Sequence, residues 1–265
     1  MTDKRFCYTV DDNIRFLKEL TEGEYSSLFD HPYLAMYRRL HERYGLRVQL
    51  NLFYLCPGFD LSMMTDRYRE EWAENAHWLK LSFHSKLENS RPYENSGYDE
   101  VYTDCAAVHR EILRFAGKRS LASSTTVHYC LATAEGLRAL YDNGVRGLLG
   151  LYGAEQKPNR SYQSTESECA LLRAGETVTS SGIAYGGIDV ILNAYDIASI
   201  LTRLTAIFDR PLVKVMIHEQ YFYPDYPRYQ AEFEEKLDAT FSCLVAEGYK
   251  SCFFEETYST MGEQL

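Results

Sequence analysis

The chain has 265 residues, of which 45% are hydrophobic and 25% charged, and its formal net charge is -10. That length buries a full core, as one large α/β domain or two small ones. The acidic balance argues against a nucleic-acid backbone or an anionic membrane as the main partner.

Aromatic content is high, with 22 Tyr, 13 Phe and 2 Trp. Such rings fill cores, and beside a polar cleft they make platforms for sugars. The seven cysteines are scattered singly with no C-x-x-C pair, so buried reduced thiols are expected rather than a disulfide framework. The opening "MTDKRFCYTV" lacks the apolar stretch of a signal peptide and no run approaches a membrane span, which predicts a cytoplasmic protein.

In chain order, "RFCYTV" (5–10) reads as a strand that stops at Asp11 and Asp12. A helix follows over 32–44, then the β-rich "LRVQLNLFYL" (46–55), a helix over 65–79 and the short strand "KLSFHS" (80–85). Val101, Cys105, Val108, Ile112 and Phe115 recur at helical spacing over 98–117. "TTVHYC" (125–130) is a strand, "TAEGLRALYDNG" (133–144) a helix with a glycine stop, and "VRGLLGLYG" (145–153) a strand. Residues 154–187 break the rhythm and read as an insertion over one mouth of the fold. "DVILNAY" is a returning strand or edge, followed by a helix over 196–208, strand "LVKVMIHE" (212–219), a helix over 228–248 and a last strand "KSCFFEE" (250–256).

Alternating units with crossover helices imply parallel strands. The whole chain therefore reads as a single domain of seven β/α units, a distorted barrel or a doubly wound open sheet. Either way, reactive groups belong at the carboxyl ends of the strands. Asp11, Asp12, His84, His128, His218 and Glu219 stand there; His41, His77 and His109 fall in helices, and His31 at a helix entrance before Pro32.

Carboxylate plus imidazole is a common ligand set for zinc and its neighbours. Beside a metal-bound water, a second carboxylate serves as base, which gives adjacent aspartates a reason to exist. The structural alternatives are plain: Asp12 as the N-cap of a helix over 13–20 with Asp11 a solvated charge, and His128 and His218 as core histidines bonded to backbone.

The sequence resembles the polysaccharide deacetylase family, the NodB-like carbohydrate esterases. Their T-F-D-D motif is matched by "TVDD" (Thr9 to Asp12), their H-[ST]-x-x-H by part of "HSKLE", and their late L-x-x-H by "VMIH". The resemblance implies a distorted (β/α)7 barrel, Asp11 as catalytic base, Asp12 and His84 as metal ligands and His218 as general acid. Glu88 stands where the family has its second motif histidine, so the third ligand is either Glu88 or His128; Glu88 is alternatively a plain loop carboxylate. The R-x-P-x-G motif is missing from the fourth strand, although Arg91 in "SRPY" is a candidate to orient Asp11.

The expectation is a hydrolase that uses a divalent ion, zinc first with nickel, cobalt or manganese as alternatives. It would deacetylate a C–N bond of a small-molecule or oligosaccharide substrate, with no nucleic acid or membrane partner and a homo-oligomer possible. Two other readings stay open: a metal-free glycosidase using Asp11 and Glu219, and a non-catalytic carbohydrate-binding protein on the same scaffold.

Overall fold

The structure, a computed structural model, describes residues 3–88 and 93–258. β1 (Arg5–Asn13) is buried along nearly its whole length, as befits a parallel strand covered on both faces. It runs into α1 (Arg15–Glu22), which hides Phe16, Leu17 and Leu20. α2 (Pro32–Tyr44) begins on a proline, whose missing N–H is harmless in the first turn, and stops at left-handed Gly45 (φ 63°). Buried β2 (Val48–Phe53) follows, then a small antiparallel hairpin of β3 (Leu55–Cys56) and β4 (Phe59–Asp60).

α3 (Arg69–Asn75), β5 (Leu79–Ser85) and α4 (Tyr98–Phe115) come next. After them stand β6 (Ser124–Thr125), α5 (Ala134–Asp142) and β7 (Gly147–Gly150). α6 (Glu166–Arg173), β8 (Thr177–Ser180), β9 (Ile183–Gly187) and β10 (Val190–Ile191) fill the irregular region and its return. The chain closes with α7 (Ile197–Thr205), β11 (Leu212–His218), α8 (Phe233–Ala246) and β12 (Lys250–Ser251).

Parallel pairing runs β10–β11–β1–β2–β5 in one sheet and β6–β7–β9 in another, with β8 antiparallel on the edge of the second. The sheets meet at both ends. On one side, Ile188 N donates to Gly150 O and Asp189 N to Lys214 O, both at 2.8 Å. On the other, the backbone link is a Leu81–Leu121 bridge between β5 and the segment leading into β6, with the Ala122 N–H to Leu81 carbonyl bond at 2.9 Å. Side chains reinforce that thin seam: Ser82 Oγ donates to Ser124 O at 2.8 Å and Thr125 Oγ1 to Phe83 O. The result is a distorted (β/α)7 barrel. Among the described residues, no helix is long and apolar enough to cross a membrane.

Several elements differ from the sequence reading. The strand expected at 125–130 shrinks to Ser124–Thr125, and His128 lies in a turn of 3-10 helix just beyond it. Val127 N–H is taken there by Tyr162 Oη at 3.1 Å, which draws the backbone out of the ladder. The irregular stretch 154–187 is only partly an excursion, because its end, β9, is a ring strand beside β7. Conversely, the last predicted strand pairs only at Arg5–Lys250 and Phe6–Ser251, at the start of β1. Its apolar run serves packing: Cys252, Phe253 and Phe254 are buried. All seven cysteines are free thiols, five of them buried.

Phe254 presses on Gly186 in β9, where an added Cβ would lie 2.9 Å from the ring. Phe254→Ala should therefore cost about 3–5 kcal/mol in denaturant unfolding, the loss expected for a buried phenylalanine, although β12 ends before it.

Candidate metal centre

The site begins with a slip in β1. Pairing with β2 shifts register between Val10 and Asn13, and Asp12 takes a left-handed backbone (φ 63°), which Asp tolerates better than most residues. Asn13 fastens the bend: its Nδ2 donates to Val10 O at 2.6 Å and Asn51 O at 3.2 Å, and its Oδ1 accepts from Tyr33 Oη at 2.9 Å. Successive strand residues normally face opposite sides. Here Asp12 reaches the histidines, while Asp11 meets Asn51. Nor does Asp12 cap α1, whose N-cap position is Ile14.

Three donors converge on the rim. Asp12 Oδ1 lies 3.0 Å from His84 Nε2 and 3.3 Å from His128 Nδ1, and the two ring nitrogens are 3.1 Å apart. The far nitrogens face carbonyls: His84 Nδ1 meets Thr126 O, and His128 Nε2 meets Glu88 O at 2.8 Å. A neutral imidazole has a single N–H. With each N–H directed to its carbonyl, three lone pairs are left facing one another with no hydrogen between them. Such a cluster could hold a cation. A tetrahedral ion with bonds of about 2.0–2.1 Å spaces its ligand atoms roughly 3.3–3.4 Å apart, close to the separations here. Phe53 closes one side, edge-on to both imidazoles at 5.2 and 5.1 Å.

Burial alone would raise the Asp12 carboxyl, but His218, His128 and His84 outweigh it and hold the group well below the usual carboxylate range. Burial lowers His84, with Asp12 opposing. Both are therefore in the ligating form at neutral pH.

Asp11 and His218 are register partners on β1 and β11, just beside this cluster. Asp11 is buried and accepts from Asn51 Nδ2 at 2.7 Å; burial pushes its carboxyl well up, the Asn51 bond pulls it down and Asp12 adds to the rise. His218 has Nδ1 at 2.9 Å from Asn193 Oδ1, which fixes the N–H there and leaves Nε2 as the second working atom. Burial lowers its pKa, against the pull of Asp12.

Glu88 was a candidate third ligand. The structure corrects this: its side chain is exposed, and it meets the centre only through the carbonyl that orients His128. A ligand from the next strand's turn needs no refolding of the loop after His84. Arg91 lies outside the described residues. His31 caps α2 and His41 stacks on Trp78 at 4.4 Å, both structural as read from the sequence.

Glu219 is also no free carboxylate. Its Oε2 accepts from Ile14 N at 2.7 Å and Arg15 N at 3.1 Å; its Oε1 accepts from Phe16 N at 2.8 Å and Tyr223 Oη at 2.9 Å. Burial raises its carboxyl to about 7, which taken alone suits a general acid. The four donors decide otherwise: Glu219 closes the N-terminus of α1 from outside the helix. Glu219, one of the two carboxylates named for the glycosidase reading, is thus engaged by the start of α1.

Besides Asn193, two further residues escaped the sequence reading. Asn51 sits two places from Gln49 on a buried strand, and their side chains form a chain: Gln49 Nε2 donates to Asn51 Oδ1 at 2.8 Å, and Asn51 to Asp11. Two amides at period two inside an otherwise apolar run were the available signal. Gln220, whose Nε2 donates to Asp12 Oδ2 at 2.7 Å, carried no such signal.

A cavity of about 890 Å³ opens beside Asp12, walled by Arg15, Lys18, Phe53, Tyr226 and Pro227 among others. Its size lies within the range of small-molecule sites. Tyr223 and Tyr226 of "HEQYFYPDYPRY" both line the cavity, and the Arg15 guanidinium lies 3.8 Å over the Tyr223 ring.

The backbone that carries this centre has solved counterparts. A peptidoglycan N-acetylglucosamine deacetylase in complex with an N-oxidanyl-benzamide matches at TM-score 0.54 and 10% identity, over 98% of this chain and 92% of that one. A putative polysaccharide deacetylase from Mycobacterium smegmatis matches at TM-score 0.53 and 12% identity, over 96% and 89%. The fold is that of the polysaccharide deacetylases. A 4-alpha-glucanotransferase from Thermococcus litoralis also matches, at TM-score 0.59 and 11% identity, with this chain spanning 97% of its own length but only 40% of that protein's. Likenesses at these identities speak for architecture alone. No protein-family model matches the chain, and no curated protein does.

Glu219→Ala should leave three backbone N–H groups at α1 unanswered and destabilise the protein by roughly 2–4 kcal/mol in urea titration. A Glu219 that served chemistry instead would leave stability near wild type.

Proposed function

We propose that this chain is a metal-dependent hydrolase that deacetylates the C–N bond of an acetamido group on a carbohydrate or related small molecule. The observation that carries the reading is the trio of facing lone pairs on Asp12, His84 and His128. Their donor set suits zinc, with nickel, cobalt and manganese as alternatives. A divalent ion there supplies Lewis acidity and a counter-charge for oxygen that becomes negative.

The protein's own groups then divide the work. The cavity beside Asp12 holds the substrate body and keeps bulk water from its reacting end. Asp11, buried and steadied by Asn51, accepts the proton of the attacking water as the C–O bond forms. His218, whose Nδ1–H is held by Asn193, takes up a second proton at Nε2 and gives it to the amine nitrogen as the C–N bond breaks. Products are a carboxylic acid and an amine, and the two proton transfers balance.

Elemental analysis of the purified protein tests the reading first: about one metal per chain, lost in Asp12→Ala and in His84→Ala. Asp11→Asn should keep the metal while turnover falls by roughly 10²–10⁴-fold, the usual range for an acid–base residue. Retained turnover would dismiss Asp11 as base.

The lowered pKa of His84 also fixes a pH dependence. Because its proton leaves below the usual imidazole value of about 6.5, protons compete with metal at His84 only under acid conditions. Metal affinity measured by competitive titration should stay level from pH 8 to about 6.5 and weaken below that. A decline starting above pH 7 would contradict the burial argument.

A further inference from the structure

Asp12 has two oxygens, and only one of them faces the histidines. The other, Oδ2, accepts from Gln220 Nε2 at 2.7 Å. A carboxylate only accepts, so the amide nitrogen of Gln220 must be the atom that points at it. Gln220 is itself well placed for this task. It lies in the 3-10 turn Glu219–Phe222, and its neighbour Glu219 is locked by four donors to the start of α1 and to Tyr223. The turn thus joins two things that must keep their spacing, the end of β1 and the end of β11. Asp12 in turn sits on a left-handed backbone, where no strand ladder sets the angle of its carboxylate.

We infer that Gln220 is a positioning residue which holds Asp12 as a one-oxygen ligand and so keeps a coordination position open for substrate or water. The inference rests on the metal reading above. Without the Gln220 donor, the Asp12 carboxylate is free to turn and present both oxygens, as carboxylates commonly do to divalent ions. That would fill the position the reaction needs. Partners of this kind typically matter by 10–100-fold in metal affinity.

The test is Co²⁺ titration of the purified wild-type protein, Gln220→Met and Gln220→Leu, read by calorimetry and by the visible d–d absorption of the bound ion. Methionine keeps the length of the side chain and removes the donor. Both variants should bind Co²⁺ roughly 10–100-fold more weakly. Their d–d bands should lose intensity as the coordination number rises, a change that a general loosening of the fold would not produce. Wild-type affinity and an unchanged spectrum in Gln220→Met would overturn the inference and leave the metal reading standing. If neither variant folds, a crystal structure of the Co²⁺-loaded wild type decides: Asp12 bound through one oxygen supports the role, and Asp12 bound through both ends it. Failure of the wild type to take up Co²⁺ overturns the metal reading, and the role of Gln220 with it.

Discussion

Everything at the rim follows from one arrangement of lone pairs. Two backbone carbonyls, those of Thr126 and Glu88, engage the outer nitrogens of His84 and His128, and this leaves the inner nitrogens and Asp12 Oδ1 with nothing but each other. Acceptors in contact repel unless something positive lies among them. The imidazoles of His218, His128 and His84 hold Asp12 well below the ordinary carboxylate range although it is buried, while burial, with Asp12 adding to it, pushes the adjacent Asp11 the opposite way. Two neighbours in sequence come to differ because imidazoles outweigh burial at Asp12, whereas burial prevails at Asp11 over the single bond from Asn51. Pairs of carboxyls driven apart in this way are what acid–base chemistry at neutral pH requires.

Much of this could be read from the chain. "RFCYTV" followed by two aspartates announced a buried strand with charge at its end, and helical spacing over 98–117 matched α4 (Tyr98–Phe115) closely. His84 and His218 end their strands as expected. The (β/α)7 architecture was also legible, though not its bookends: the final apolar run was read as a ring strand, and the true ring strand, β9, was hidden inside the irregular stretch. Burial of Phe253 and Phe254 by packing looks the same in sequence as burial in a sheet.

The site was harder to read for a different reason. Glu88 and His128 both had claims to the third position, and spacing cannot tell a side-chain ligand from a backbone acceptor. In the structure each contributes, His128 by its Nδ1 and Glu88 by its carbonyl. Glu219 shows the converse. A glutamate beside a strand-end histidine reads as reactive, yet its partners are N–H groups of α1, over 200 positions away in the chain. Long-range backbone pairing of this sort leaves no periodic trace.

The seam between β5 and β6 gives the centre a mechanical meaning as well. That junction has a single bridge, against six paired positions between β2 and β5 and two between β6 and β7, and His84 stands on one lip while His128 stands just past the other. An ion gripped by both rings and by β1 would act as a clasp across the loosest joint of the ring. Loss of the ion would then unfasten the wall of the barrel at that joint, so that the resilience of the protein and its readiness for chemistry would rise and fall together.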